Sequence, residues 1–294
     1  VSWLQITVDS DAAQISTVEN IFTLFDALAI TYSDGGQQPI FEPMPGETKL
    51  WNVNRVTALF AATSDVEQLC ATISSYLPNN IAITLQHQLL ADQVWERAWL
   101  QNFTAKRFGQ RLWICPEQQL PTASNAVVVK LDPGLAFGTG SHPTTALCLE
   151  WLDQADIYNK TVLDYGCGSG ILAICAAILG AKTVTAVDHD PQALEATHDN
   201  AIKNHVVNKL RLYAPNECPM QEYDIVLANI LAVTLIQLAP QLSKLTSATG
   251  HLILSGVLKS QSLQVISVYK QYFDIISQHN DDEWVMLSCT HKKR

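Results

Sequence analysis

The sequence predicts an α/β protein in two parts, a small α+β sandwich followed by a doubly wound sheet of seven strands. Three observations carry that prediction. From residue 161 onward, apolar runs of strand length alternate with longer amphipathic stretches, the order of a parallel sheet covered by helices on both faces. The last two apolar runs, 272–278 and 284–289, flank the polar segment His279-Asn280-Asp281-Asp282-Glu283, which predicts a closing antiparallel hairpin. Residues 1–90 read strand-helix-strand-strand-helix-strand, the order of a ferredoxin-like sandwich.

In the first part, residues 2–8 alternate as a strand, and Val18, Ile21, Phe22, Phe25 and Leu28 have helical spacing over 18–28. Strands are expected near 29–33, 49–54, 58–62 and 81–86, and a helix over 66–76 stopped by Pro78. Trp95-Glu96-Arg97-Ala98-Trp99 begins a linker helix, placed at 91–104, with Trp95 and Trp99 on one face. The second domain is placed at 105–294. It opens with strands at 111–115 and 126–131. A glycine-rich loop, 132–145, then leads into a helix over 145–152. The sheet strands follow at 161–164, 183–188, 209–213, 223–228 and 251–255, with helices near 170–179, 191–204, 231–245 and 261–272.

Composition narrows the function. The chain of 294 residues is 48% hydrophobic, enough for sizeable cores, and its net charge is −10 from 18 basic and 28 acidic residues. That balance argues against a surface built on phosphates and suits a basic protein partner. The 7 cysteines are scattered without a C-x-x-C pair, so neither a zinc ribbon nor a dithiol site is indicated, and a reducing, cytoplasmic setting is expected. The longest apolar run is too short to cross a bilayer, and Val1-Ser2-Trp3 carries no basic signal segment, so no membrane association is expected.

The chemistry concentrates at Asp164-Tyr165-Gly166-Cys167-Gly168-Ser169-Gly170, between a strand and a helix. Glycines at 166, 168 and 170 let backbone approach a ligand without Cβ clashes. A dinucleotide fingerprint spaces its glycines differently, and the nearby carboxylate of Asp164 repels a pyrophosphate but suits an ammonium group, directly or through water. The next strand ends in Asp188, where a carboxylate can accept both hydroxyls of a ribose. Asp190-Pro191 reads as a helix cap followed by a first-turn proline, and His189 gains no support as a metal ligand. In the 132–145 loop, hydroxyl residues and glycines before a helix fit either carboxylate binding or an ordinary loop capped by Ser141 or His142. Phe137 among small residues suits an apolar contact over a ligand. Asn229 ends the strand after 223, either as a helix cap or as an acceptor for a substrate amine.

Together these residues resemble the PrmA family of ribosomal protein methyltransferases, which modify large-subunit ribosomal protein eleven. The resemblance spans nearly the whole chain. It includes Phe41-Glu42-Pro43-Met44-Pro45-Gly46-Glu47-Thr48, Trp95 to Trp99, residues 108–116, the 131–145 loop, the glycine turn and Ala228-Asn229-Ile230-Leu231. It implies a ferredoxin-like substrate-recognition domain, a linker helix and a Rossmann-like domain using S-adenosylmethionine. By matching position, Thr145, Gly166, Asp188 and Asn229 would bind the cofactor, joined by Asp164, Gly168 and Phe137, with Asn229 also orienting the substrate amine. Ser141 stands where the family often has threonine. The implied acceptors are the terminal α-amine and lysine side chains of the free ribosomal protein, with no metal and no direct nucleic-acid binding.

Methyl transfer to an amine needs the neutral form. Removing the proton at pH 7 costs roughly 4.6 kcal/mol for a lysine and about 1 kcal/mol for an α-amine. An apolar site lowers both costs, and no strong general base stands near the motifs. Methyltransferases of planar amides or adenine often carry a stacking aromatic after this asparagine. Here Ile230 and Leu231 follow, favouring alkyl amines. A nucleic-acid methyltransferase, a nicotinamide oxidoreductase and a non-catalytic cofactor-binding adaptor are the competing readings.

Overall fold

The computed structural model describes residues 2–36, 38, 40, 50–61, 66–77, 86–91, 104–116, 119, 121, 123, 125–131 and 140–292. Expectations for 41–48, the linker over 92–103 and Phe137 within 132–139 lie outside these residues. The chain divides into two compact units, Val1–Val94 and Trp95–Arg294.

The first unit runs β1 (Ser2–Asp11), α1 (Ile15–Leu24), β2 (Ala29–Asp34), β3 (Val53–Ala61), α2 (Val66–Tyr76) and β4 (Gln86–Ala91). All neighbours pair antiparallel in the order β2-β3-β1-β4, the ferredoxin-like arrangement. Strict alternation puts Leu4, Ile6 and Val8 of β1 and Val56, Ala58 and Phe60 of β3 into one core with Val18, Ile21 and Phe22 of α1.

Two boundaries differ from expectation. The strands expected at 49–54 and 58–62 are the single strand β3. Within it Asn54 is fully buried and satisfied locally: its Oδ1 accepts from Trp51 N–H and its Nδ2 donates to the Trp51 carbonyl. Helix α1 stops at Leu24, and Asp26 then turns left-handed at φ 61°. The strand expected at 81–86 lies outside the described residues but for Gln86, where β4 begins; β4 runs Gln86–Ala91 and pairs Leu89 with Leu4.

The second unit begins with a three-stranded sheet of β5 (Lys106–Phe108), β6 (Leu112–Cys115) and β7 (Val127–Lys130). Strand β5 was not anticipated, since three residues carry too little pattern to read. Then follow α3 (Pro143–Gln154), β8 (Thr161–Tyr165), α4 (Ile171–Ile178), β9 (Thr183–Val187), α5 (Pro191–Lys203), β10 (Leu210–Tyr213), β11 (Tyr223–Asn229), α6 (Ala232–Leu245), β12 (Thr246–Leu258), α7 (Lys259–Tyr269), β13 (Phe273–Asp281) and β14 (Trp284–His291). The order is β10-β9-β8-β11-β12-β14-β13. The first five strands pair parallel, and the terminal hairpin joins antiparallel.

This sheet is apolar on both faces. Val162, Val184, Ile225 and Leu227 pack on one side with α3 and α4, whereas Leu163, Tyr165, Val226 and Leu254 pack on the other with α6 and α7. Consecutive residues of β8 and β11 therefore serve opposite cores, which explains their continuous hydrophobic runs. The chain leaves β8 toward β9 on one side and returns to β11 on the other. That reversal opens a crevice beyond the carboxyl ends of these strands, where doubly wound sheets bind ligands.

Candidate active site

The glycine turn is built by β8 running out at Tyr165. Gly166, Gly168 and Gly170 take φ of 83°, 54° and 78°, a conformation closed to other residues at little cost. Gly166 and Cys167 N–H groups donate to the Val187 carbonyl of β9 at 2.7 and 3.0 Å, tying the turn to the end of the neighbouring strand. A Cβ at Gly166 would run into Ile230 Cγ2, so the turn also fits closely against the segment after β11.

Asp188 follows β9 and is 8% exposed. Its Oδ2 accepts from Gly168 N–H at 2.9 Å and its Oδ1 from Asp190 N–H at 3.0 Å. The carboxylate is held rigidly with lone pairs to spare at the crevice edge. Asp190 caps α5 by accepting from Gln192 N–H, with Pro191 in the first turn, as the sequence implied. His189 is exposed, its Nδ1 3.3 Å from Asp188 Oδ1.

Asp164 lies deeper than the sequence suggested. It is 1% exposed, and its Oδ2 accepts from Ala173 N–H at 3.0 Å. Helix α4 has Gly170 as its N-cap and so no capping side chain; Asp164 supplies that acceptor from the strand below. Its Oδ1 is buried with no hydrogen-bond partner among the described residues. Burial pushes the carboxyl up to about 7, opposed by the Ala173 hydrogen bond and reinforced by the charge of Asp188.

Asn229 is the last residue of β11, and α6 starts at Ala232 with Leu231 as its N-cap. The helix-cap reading of Asn229 is therefore excluded. Its Nδ2 instead donates to Thr145 Oγ1 at 3.2 Å, which fixes the amide and leaves Oδ1 as its accepting end. Thr145 is buried in the first turn of α3, which begins at Pro143 rather than 145. His142 caps it: Thr144 N–H donates to His142 Nδ1 at 3.4 Å, and Thr144 Oγ1 lies 2.8 Å from the same nitrogen. The His142 ring meets Trp284 edge-on at 4.8 Å. Burial lowers the His142 pKa, which keeps the capping nitrogen an acceptor.

The structure thus gathers Asp164, Gly166, Gly168 and Asp188 in one cluster, and Asn229 with Thr145 in another. Ile230 against Gly166 joins the two clusters.

Comparison with known proteins identifies the family. The family model described as ribosomal protein L11 methyltransferase (PrmA) matches residues 2–292. The chain belongs to that family. The ribosomal protein L11 methyltransferase of Hahella chejuensis is 45% identical over 289 residues, covering 98% of each chain. That of Nitrosococcus oceani is 44% identical, covering 97% of this chain and 98% of its own. A crystal structure of the ribosomal protein L11 methylase of Lactobacillus delbrueckii subsp. bulgaricus, 32% identical, superposes with a TM-score of 0.60 over 65% of this chain and all of its own.

Sequence reasoning missed several residues that shape this methyltransferase's site. Ser255 Oγ donates to the Thr144 carbonyl at 3.0 Å, locking α3 to β12. Gly256, at φ 79°, has no Cβ because the Ile230 carbonyl occupies that space. Thr197 and Asn200 of α5 donate to the Gly168 and Ser169 carbonyls, both at 3.0 Å. A single serine in an apolar strand, or two polar residues on a helix, carries no pattern until the partner far away in sequence is known.

Proposed function

We propose that this methyltransferase uses S-adenosylmethionine to methylate the N-terminal α-amine and lysine ε-amines of ribosomal protein L11, taken as the free protein in the cytoplasm. The first unit recognises the substrate, and the second carries the chemistry. Family membership supports the reaction; the carrying observation is the Asn229–Thr145 bond, beside a glycine turn flanked by Asp188 and Asp164.

The residues fit a charged nucleoside donor. Main chain is laid open at the turn, Asp188 offers lone pairs where a ribose would lie, and the orphaned Oδ1 of Asp164 calls for a cationic or hydrogen-bonding partner. When bound, S-adenosylmethionine supplies the electrophilic methyl group. Everything else falls to the chain. Thr145 on the cofactor side holds Asn229, and Asn229 Oδ1 accepts an N–H of the neutral amine and aligns its lone pair. Ile230 contributes apolar surface that disfavours the ammonium form, and solvent takes the released proton.

Recombinant protein incubated with S-adenosylmethionine and free ribosomal protein L11 tests this by intact mass. Mass gains in single methylene steps, mapped to the α-amine and lysines, are expected. An unmodified mass despite S-adenosylhomocysteine binding would reduce the chain to a cofactor-binding adaptor.

A further inference from the structure

We propose that α5 is the positioning strut of the donor site: one polar face, made by Thr197, Asn200 and the C-cap Asn204, sets both the glycine turn and the end of β7. The inference rests on reading the turn as the donor site.

The three positions are spaced three and four apart, so they share one side of the helix. Thr197 and Asn200 are fully buried and hold the Gly168 and Ser169 carbonyls. A turn in left-handed conformation directs these carbonyls away from the sheet ladder, so they need partners from elsewhere. Packing at the turn is equally close, because a Cβ on Gly170 would lie 2.7 Å from Thr197 Oγ1.

Asn204 extends the same face to a different segment. Its Oδ1 accepts from Lys130 N–H at 2.8 Å, and its Nδ2 donates to the Lys130 carbonyl at 2.6 Å. Nδ2 also reaches the Asn200 carbonyl at 2.8 Å, which fixes the amide to its own helix. Lys130 ends β7, the edge strand in the order β5-β6-β7. The side-chain amide pairs with both polar groups of that residue, as a neighbouring strand would.

The placement matters because of where the chain goes next. It leaves Lys130 toward the segment that ends at Gly140, and an added Cβ at Gly140 would lie 3.3 Å from Ile171 Cδ1, on the first residue of α4. His142 then caps the helix that carries Thr145. At its other end α5 is capped by Asp190, whose N–H donates to Asp188. One helix therefore fixes the glycine turn, the ribose-side carboxylate and the strand leading into the Thr145 segment. If Asn204 were only a helix cap, its loss would lower stability and leave the site's response to ligand intact.

Hydrogen exchange on the full chain, with and without S-adenosylhomocysteine, separates these roles. In the wild type the ligand should slow exchange at 166–170 and also at 127–131 and 140–145. In Asn204→Ala, protection at 166–170 should persist, while protection at 127–131 and 140–145 falls by roughly tenfold. The KM for S-adenosylmethionine should rise by about fivefold or more after correction for folded fraction. Asn204→Ser, whose single hydroxyl cannot bridge both polar groups of Lys130, should show the same loss of protection and decides the matter if the alanine variant does not fold. Unchanged protection and KM with only a lower Tm would overturn the strut. No ligand protection at 166–170 in the wild type would instead overturn the donor site itself, and the strut with it.

Discussion

Asp164 is a carboxylate placed where water does not reach, and its titration is a stability statement. An unfolded aspartate loses its proton near pH 4, whereas burial lifts this one up to about 7. Between those values the folded chain holds a proton that the unfolded chain has released. Stability therefore declines as pH rises through about 4 to 7, and the penalty is complete above that window. Asp164→Asn cannot ionise and can still accept from Ala173 N–H. Its Tm should match wild type near pH 4 and exceed it at pH 8, by on the order of 2–4 kcal/mol of unfolding free energy. Its affinity for S-adenosylhomocysteine should fall by a few-fold, because the negative charge beneath the glycine turn is lost. Equal melting curves at pH 8 would show that the buried charge carries no penalty. Thr145 makes the complementary case. Thr145→Val keeps the shape of this buried residue but removes the oxygen that holds Asn229 Nδ2. Turnover should drop by about tenfold, with Thr145→Ser restoring most of it. Asn229→Ala should cost more, about a hundredfold, since the group that meets the amine is then gone. Steady-state methylation of ribosomal protein L11 measures both; an unaffected Asn229→Ala enzyme would remove this residue from the reaction.

Among elements, the decisive fit is the segment after β11 wedged between two glycines. Ile230 places its side chain where Gly166 lacks a Cβ and its carbonyl where Gly256 lacks one. Gly166→Ala should destabilise by about 1–2 kcal/mol from its left-handed backbone alone, and further from the clash with Ile230. Adding Ile230→Ala removes the clashing methyl, so the double variant should regain part of that loss in urea unfolding. Gly256→Ala should gain nothing from the same second substitution, because its Cβ meets backbone rather than side chain. Full additivity in the Gly166 cycle would dissolve the wedge. This contact also marks where the sequence stops being legible. Asp188, Asp190 and the glycines announce themselves because their partners lie within one strand-turn-helix, at spacings fixed by that motif. The alternation of apolar runs likewise placed all seven strands of the large sheet. Ser255 bonding Thr144 across 111 residues, or Gly256 making room for Ile230, has no local counterpart. Asn54 shows the converse: a polar residue stays buried inside a strand because Trp51, three residues away, satisfies it.

For the whole molecule, each compact unit has its own core: Leu4, Val56 and Phe22 in the first, and the two faces of the large sheet in the second. The residues proposed to hold the donor all belong to Trp95–Arg294. Under the proposed function, amines at unlike positions on one substrate would meet the same asparagine and apolar wall, so their selection would come from contacts away from the reacting atoms. Such remote contacts lower the barrier only when they are tied to the chemistry through one chain. The enzyme's net charge of −10 suits a basic partner, and attraction of that kind weakens with salt. Residues 95–294 expressed alone should bind S-adenosylhomocysteine within about threefold of the full chain, since no residue of the donor site is lost. Their kcat/KM toward ribosomal protein L11 should fall by roughly a hundredfold, while a short lysine peptide at high concentration should react equally with both forms. Salt should raise the KM of the full chain for the ribosomal protein and leave its KM for the donor in place. If the truncated enzyme methylated the ribosomal protein as well as the full chain does, recognition would have to lie in the second unit. The rim of exposed Leu231 and Val233 beside Asn229 would then be the first place to look.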